Sequence, residues 1–152
     1  MLEDFRQDYA IVTSMPCVWR EMDAFQHVNN SVFFTYFENA RIVYFEQTQI
    51  MGPQADPEVG PILAKTSCKY IRPITFPDTL WVGTSVTEIQ ESQFSMRYGV
   101  WSTQQNHLAA LGEAVIVSYH YPNKRKVTLP DSWKTQINQL EARERTSPTP
   151  KA

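Results

Sequence analysis

One long helix that is apolar on nearly all of its faces constrains the fold of this 152-residue chain more than any other feature. Residues 31–51 are predicted to form it, because aromatic and aliphatic side chains dominate the segment and Gly52-Pro53 supplies a stop signal. At roughly 20 residues, such a helix would be about 30 Å long. A helix of this kind is buried on most faces, so other elements must wrap around it.

The rest of the chain is predicted to consist mainly of strands. Residues 11–19 precede the helix, and residues 62–72, 80–89, 93–102 and 108–121 follow it with short turns between them. Apolar and polar side chains alternate along the third of these later strands, as is typical of a half-buried strand. Four consecutive strands with short turns imply an antiparallel sheet whose one face covers the helix. The other face, or an open strand edge, is expected to meet another subunit.

The length is typical of one domain, predicted to span residues 1–145 with a short C-terminal helix over residues 131–144. Residues 146–152 are predicted to be a disordered tail. The net charge of −2 gives no electrostatic reason to expect nucleic acid or an anionic membrane as a partner. The two isolated cysteines and the lack of a signal-like N-terminus favour a cytoplasmic location.

The polar loop ahead of the helix carries the candidate chemistry. It contains Asp23, His27, Asn29 and Asn30, and the helix N-terminus directs unpaired backbone N–H groups and the positive end of its dipole towards them. A carboxylate facing such a helix end can promote attack on a carbonyl while the N–H groups hold the oxyanion. Taken singly, each of these residues also has a structural reading as a turn residue, a hydrogen-bonded histidine or a helix cap.

Other catalytic signatures are absent from the sequence. There is no Gly-x-Ser-x-Gly elbow, Gly-rich phosphate loop, His-Glu-x-x-His pair or Cys-x-x-Cys pair. The three histidines are far apart and lack metal-ligand spacing. No metal and no cofactor are therefore predicted.

A linked set of positions around the loop and the helix start resembles a family signature: Asp23-x-x-x-His27-Val28-Asn29-Asn30, followed by Phe33, Tyr36 and Glu38-x-Ala40-Arg41. This pattern is similar to that of hotdog-fold acyl-CoA thioesterases, the relatives of 4-hydroxybenzoyl-CoA thioesterase. The Gln26-His27 pair, where many relatives have Gly-His, is most similar to the long-chain acyl-CoA branch. Tyr70-Ile71-Arg72-Pro73 also matches the family pattern, and the resemblance covers roughly residues 12–121.

The resemblance implies an α+β hotdog fold, in which a five-stranded antiparallel sheet wraps around the helix of residues 31–51 and a short C-terminal helix follows. It also implies homodimers in which two sheets join edge to edge, often paired into homotetramers.

The function implied by the resemblance is hydrolysis of an acyl-CoA, or of an acyl chain on acyl-carrier protein, in fatty acid metabolism. Asp23 would be the general base or the nucleophile, and the backbone N–H near Asn30 would hold the thioester oxygen. His27 is a further catalytic candidate, through a hydrogen bond that positions the loop or the substrate. Predicted substrate contacts are Asn29, Glu38 and Arg72. The resemblance favours a medium or long fatty acyl group.

Several alternatives stay open at this point. The same fold could be a dehydratase of 3-hydroxyacyl thioesters, or a non-catalytic module that binds acyl-CoA. An ion pair with Arg41, three positions along the helix, is the favoured role of Glu38. Phe25 and Phe33 are expected to surround Asp23 with apolar surface.

Overall fold

The computed structural model describes residues 1–145, so the predicted disordered tail of residues 146–152 lies outside the described residues. The elements follow one another as α1 (Leu2–Gln7), β1 (Ile11–Cys17), α2 (Val32–Gln47), β2 (Val59–Tyr70), β3 (Asp78–Ile89), β4 (Gln93–Ser102), β5 (His107–His120), β6 (Arg125–Lys126) and α3 (Asp131–Ala142). The α+β class and the five long strands are confirmed. The sequence did not predict α1 and the two-residue β6.

All strand pairs are antiparallel, and the strands lie in the order β1-β3-β4-β5-β2, with β6 added to β5. The strands β3, β4 and β5 form a meander. Because α2 connects β1 at one edge of the sheet to β2 at the other, it has to cross the sheet between them. The curled sheet packed on one helix is the hotdog arrangement that the resemblance implies.

The helix α2 is largely buried, as its apolar pattern predicts. Its buried residues are Phe33, Tyr36, Phe37, Ala40, Arg41, Val43, Tyr44 and Phe45. The helix ends at Gln47, four residues before the predicted end. There the Thr48 hydroxyl donates a hydrogen bond to the Tyr44 carbonyl (2.8 Å), and Gln49 adopts a left-handed conformation (φ 60°) that stops the helix.

Phe37 makes a close contact between α2 and the sheet. Its ring stacks on Tyr98 of β4, with 4.9 Å between ring centroids and 13° between planes. The same ring lies over Gly112 of β5, where an added Cβ would overlap it. A glycine in the middle of β5 therefore allows the helix to approach the sheet this closely.

The helix α1 covers part of the opposite face of the sheet. Phe5 and Tyr9 form a second apolar cluster there with Val12 and Trp101, separate from the main core. Gly83 and Gly99 pair across β3 and β4, and an added Cβ at either position would overlap Tyr9. Because α1 has only six residues, its sequence carries too little periodicity to predict a helix.

The C-terminal helix α3 closes the end of the core near the C-terminus of α2. Trp133, Ile137 and Leu140 are buried. The Glu141 carboxylate accepts hydrogen bonds from the Tyr44 hydroxyl (2.6 Å) and from the Val86 N–H (3.0 Å), which ties α3 to α2 and β3. None of the helices in residues 1–145 is long and apolar enough to cross a membrane.

Candidate active site

The loop that carries Asp23 is a tight hairpin between β1 and α2. The Asp23 N–H donates to the His27 carbonyl (2.8 Å), and the Gln26 N–H donates to the Asp23 carbonyl (3.0 Å). Met22 and Val28 form an isolated antiparallel bridge at the base of this hairpin. Gln26 has a φ of 63°, the left-handed conformation that glycine adopts more readily than any residue with a Cβ. The backbone of the loop is thus closed by its own hydrogen bonds.

The two oxygens of the Asp23 carboxylate have different surroundings. Oδ1 accepts the Phe25 N–H (2.8 Å), which fixes the side chain against its own loop. Oδ2 has no hydrogen-bond partner in residues 1–145. One oxygen is therefore used for local structure, and the other is left to interact with a bound molecule.

A cavity of about 380 Å³ lies between this loop, the start of α2 and the end of β2. We call it the helix-side cavity; it is lined by Asp23, Phe25, His27, Val28, Asn30, Phe33, Tyr70, Ile71, Arg72 and Pro73. Four of the six residues predicted for the site line this cavity, namely Asp23, His27, Asn30 and Arg72. Phe25 and Phe33 are the residues expected to surround Asp23 with apolar surface. Phe33 is buried, whereas Phe25 is 82% exposed.

Backbone N–H groups without an acceptor in residues 1–145 lie at the start of α2. The Ser31 N–H donates to the Asn29 side-chain oxygen (2.9 Å), and the Val32 N–H donates to the Asn29 carbonyl (2.9 Å). The N–H groups of Asn30 and Phe33, which both line the cavity, have no acceptor within the described part of the chain. Two unused donors at a helix N-terminus are suited to hold a developing oxyanion.

The remaining predicted residues have defined positions. Asn29 organises the helix start and does not line the cavity. His27 is exposed, and its ring has no hydrogen-bond partner among the described residues. Glu38 also lies outside the cavity; its exposed carboxylate is 4.0 Å from the guanidinium of Arg41, the predicted ion-pair partner. The roles assigned to Asn29, His27 and Glu38 in substrate binding or catalysis stay predictions.

Glu21 holds the loop in place through its hydrogen bonds, a role that its sequence context does not predict. Its Oε1 accepts the Tyr36 hydroxyl of α2 (2.9 Å) and the Val18 N–H (2.9 Å), and its carbonyl accepts the Asn29 N–H (2.9 Å). These bonds join the end of β1, the returning loop and the second turn of α2. No local pattern distinguishes Glu21 from a surface glutamate, since Tyr36 and Asn29 lie well beyond its neighbours in the chain.

The neighbouring Cys17 thiol is not a candidate nucleophile. Burial raises the pKa of Cys17 to about 11, and the Glu21 carboxylate contributes to the same shift. Burial, together with the bond to Glu21, also raises the pKa of Tyr36. Both groups are therefore protonated at neutral pH, which leaves Tyr36 as a permanent hydrogen-bond donor to Glu21.

A second cavity, of about 550 Å³, is also lined by Asp23. We call it the Trp19 cavity; its lining consists of Trp19, Arg20, Met22, Asp23, Gln26, Thr75 and Phe76. Asp23 is the one acidic residue that lines both cavities. In residues 1–145 there is no cluster of three His, Cys, Asp or Glu side chains that could hold a metal ion.

Residues 17–137 match the model of the thioesterase-like superfamily. Because the match covers most of the chain, including the loop, α2 and the strands β2 to β5, the protein belongs to this superfamily. The hotdog resemblance is thereby confirmed at the level of the family.

Several individual proteins resemble this chain in sequence or in fold. A thioesterase from Thermus thermophilus, solved in complex with coenzyme A and Zn, is 28% identical with a TM-score of 0.76, over 89% of this chain and 97% of that one. The 1,4-dihydroxy-2-naphthoyl-CoA thioesterase Slr0204 from Synechocystis has a TM-score of 0.75 at 17% identity, over 88% and 98% of the chains. The uncharacterized protein YsmA of Bacillus subtilis (strain 168) is 23% identical over 96 residues, which span 63% of this chain and 64% of that relative, less than two thirds of its length.

Proposed function

We propose that this protein is a thioesterase that hydrolyses an acyl-CoA, with Asp23 as the catalytic carboxylate. The observation that carries the proposal is the helix-side cavity, where a carboxylate with one unpartnered oxygen and the unused N–H groups of Asn30 and Phe33 lie together. Membership of the thioesterase-like superfamily supports this reading of the site.

The chemistry requires only these groups and water. Asp23 accepts a proton from water as the water oxygen attacks the thioester carbon, and the carbonyl oxygen becomes an oxyanion held by the N–H groups of Asn30 and Phe33. When the tetrahedral intermediate collapses, the C–S bond breaks and the thiolate takes the proton from Asp23. General-base help contributes about 10²–10⁴-fold in rate, and each oxyanion donor about 10²–10³-fold.

A nucleophilic route uses the same residues. In this route Asp23 attacks the thioester carbon directly, the thiolate leaves, and water then hydrolyses the resulting mixed anhydride to regenerate the carboxylate. Single-turnover hydrolysis in ¹⁸O-labelled water tests this route, because label found in the Asp23 side chain requires an anhydride whose Asp23 carbonyl is attacked by water.

Arg72 supports coenzyme A as the thiol part of the substrate. Arg72 is exposed and lines the helix-side cavity, and its backbone N–H donates to the Ala109 carbonyl (3.0 Å), which fixes its backbone to the sheet. A guanidinium in this place can pair with a phosphate of coenzyme A. Acyl-carrier protein is the alternative thiol, because it carries a phosphate on the same arm.

The proposed assembly is a homodimer joined through β2, with tetramers as a further step. The strand β2 has 12 residues and lies at the edge of the sheet, and Leu63, Tyr70 and Ile71 are exposed apolar residues on it or directly after it. A long edge strand with exposed apolar side chains favours pairing with another strand. The end of this strand lines the helix-side cavity, so a partner at this edge would lie close to the site.

Asp23→Asn tests the catalytic assignment. The substitution retains an oxygen for the Phe25 N–H but removes the base, so we expect turnover to fall by at least about a hundredfold with the fold intact. The measurement is release of free thiol from a panel of acyl-CoAs, from short to long and aryl. Asp56→Asn is the matched control, because Asp56 also accepts backbone N–H groups through Oδ1 but lies in a loop away from the cavity.

Each outcome of this experiment has a clear meaning. Near-normal hydrolysis by Asp23→Asn would contradict the assignment of Asp23. Absence of hydrolysis in the wild type, combined with tight acyl-CoA binding, would favour the binding module. Hydration of an enoyl-CoA without thiol release would favour the dehydratase.

A further inference from the structure

We propose that the Trp19 cavity binds the acyl group of the substrate, and that Trp19 and Phe76 determine the preference for apolar acyl groups. The inference rests on the proposed function and extends it by assigning the two arms of the thioester to the two cavities that meet at Asp23.

The geometry of a thioester requires two separate channels. The carbon that is attacked carries an acyl arm and a thiol arm that extend away from each other. Asp23 lines both the helix-side cavity and the Trp19 cavity, so a carbonyl beside it has one cavity available to each arm. The helix-side cavity is lined by Arg72 and by the residues proposed to bind the oxyanion, which suits the thiol arm with its phosphates. The acyl arm is then left with the Trp19 cavity.

The side chains of the Trp19 cavity fit an apolar occupant. Trp19 is 72% exposed and Phe76 is 43% exposed, and their rings make an edge-to-face contact with 5.8 Å between centroids. Met22 adds a flexible apolar side chain to the lining. A ligand that covers these aromatic rings removes apolar surface from water, which is favourable in proportion to the area covered.

The backbone beneath Trp19 is held in place before any ligand binds. Trp19 begins a single 3-10 turn that ends at Glu21, and its carbonyl accepts the Met22 N–H (3.1 Å). Glu21 in turn is tied to Tyr36 of α2. A pocket wall that is already ordered lowers the entropic cost of binding, so exposure of Trp19 here indicates a preformed surface. The volume of about 550 Å³ lies in the range of small-molecule sites, about 300–1,000 Å³.

In the opposite assignment, the Trp19 cavity would bind the thiol arm. Arg20 is the physical reason to consider it, because Arg20 lines this cavity and its guanidinium attracts the phosphates of coenzyme A. The two assignments differ in which half of the substrate contacts Trp19. Varying the acyl group and the thiol separately therefore distinguishes them.

The kinetic test uses Trp19→Ala and Phe76→Leu with decanoyl, benzoyl and acetyl thioesters, each made with coenzyme A and with N-acetylcysteamine. We expect kcat/KM for the decanoyl and benzoyl groups to fall about tenfold to hundredfold with either thiol, and the acetyl group to change by less than about threefold. A loss that appears with coenzyme A and disappears with N-acetylcysteamine would overturn the inference. Met51→Ala is the control, because Met51 is an exposed apolar residue beyond the opposite end of α2.

A binding test separates this inference from the proposed function. Decanoyl-CoA is titrated into Asp23→Asn, and the change in tryptophan fluorescence is compared with that of the double variant Asp23→Asn/Trp19→Phe and of Asp23→Asn/Trp19→Ala. We expect a signal from Trp19 and about tenfold weaker binding without its side chain. If the wild type binds decanoyl-CoA in this way but does not hydrolyse it, the assignment of the acyl cavity is supported and the proposed function is contradicted. If the wild type hydrolyses decanoyl-CoA but binding does not depend on Trp19, the proposed function is supported and the assignment of the acyl group to the Trp19 cavity is overturned.

The oligomeric state of Trp19→Ala excludes an indirect effect. If the variant sediments as the wild type does, the changes in kcat/KM are attributable to the cavity. If it loses its assembly and weakens all six thioesters equally, Trp19 is an interface residue and the inference is overturned.

Discussion

Glu21 connects the loop that holds Asp23 to the core, because this one residue makes hydrogen bonds with three segments of the chain. Its carboxylate bonds to Tyr36 and Val18, and its carbonyl bonds to Asn29. Asp23 is two residues away, so the position of its carboxylate relative to the helix start depends on this brace. Hydrogen bonds to a charged group contribute about 1.5–3 kcal/mol each, more than a neutral pair does.

Tyr36→Phe is predicted to weaken this brace without changing the surface of the cavity. Loss of the hydroxyl leaves the half-buried Glu21 carboxylate with fewer donors, so we expect the free energy of unfolding to fall by about 1–3 kcal/mol. We also expect kcat to fall several-fold while KM is nearly unchanged, because Tyr36 does not line either cavity. Urea denaturation and steady-state kinetics measure the two effects.

Tyr121→Phe provides the comparison for Tyr36→Phe. The Tyr121 hydroxyl also donates to an oxygen, the Pro61 carbonyl (2.8 Å), but it does so on the surface and far from the loop. We expect its loss to change stability by less than about 1 kcal/mol and to leave kcat as it is. Equal effects of the two substitutions would contradict the role assigned to the Glu21–Tyr36 bond.

At the scale of elements, the central contact is between α2 and the sheet. The Phe37 ring stacks on Tyr98 and reaches the backbone of Gly112, so this one side chain fills the space between the helix and the sheet at this point. A side chain at position 112 would push α2 away from β5. The start of α2, with its free N–H groups, would move with it.

Gly112→Ala is predicted to destabilise the fold by about 1–3 kcal/mol, because the new methyl group overlaps a fully buried ring that has no room to move. Gly60→Ala is the matched substitution in the neighbouring strand β2. Its Cβ would lie 2.9 Å from the ring of Tyr121, which is 48% exposed and can turn aside. Thermal and urea denaturation measure the effect, and we expect Gly112→Ala to lose more stability than Gly60→Ala. A similar loss of stability in both variants would contradict the close helix–sheet contact.

At the scale of the whole molecule, the two edges of the sheet are unequal. The edge strand β1 has seven residues and contains Pro16, which lacks an N–H for further pairing, whereas β2 has 12 residues. The helix-side cavity opens beside the end of β2. Assembly through β2 would therefore join two sheets and place a partner subunit next to each site.

Leu63→Lys is predicted to shift the protein from dimer to monomer, because a charged side chain on an edge strand opposes strand pairing. Sedimentation equilibrium measures the shift, and thiol release is expected to fall with it. Leu111→Lys is the control, because Leu111 is also an exposed leucine but belongs to the interior strand β5. We expect this variant to remain a dimer. A wild type that is already monomeric would contradict assembly through β2.

Much of the architecture follows from local patterns in the chain. The apolar composition of α2 requires burial, and alternation identifies the long strands, because both signals repeat within a few residues. The spacing of Asp23, His27 and Asn30 ahead of the helix points to the site through its resemblance to the family. The end of α2 was less predictable: residues 48–51 are compatible with a helix, but the left-handed Gln49 ends it earlier.

The sequence by itself determined the long helix, the five long strands and the C-terminal helix, their order along the chain, and the loop that holds Asp23. Only the tertiary structure decided that Glu21 braces this loop, that α1 covers the outer face of the sheet, and that Trp19 and Phe76 form a second cavity. Glu21 and Tyr36 are 15 residues apart in the chain, and Trp19 and Phe76 are further apart still. Periodicity reports on neighbours along the chain, whereas pairing of distant side chains depends on how the whole sheet closes around its helix.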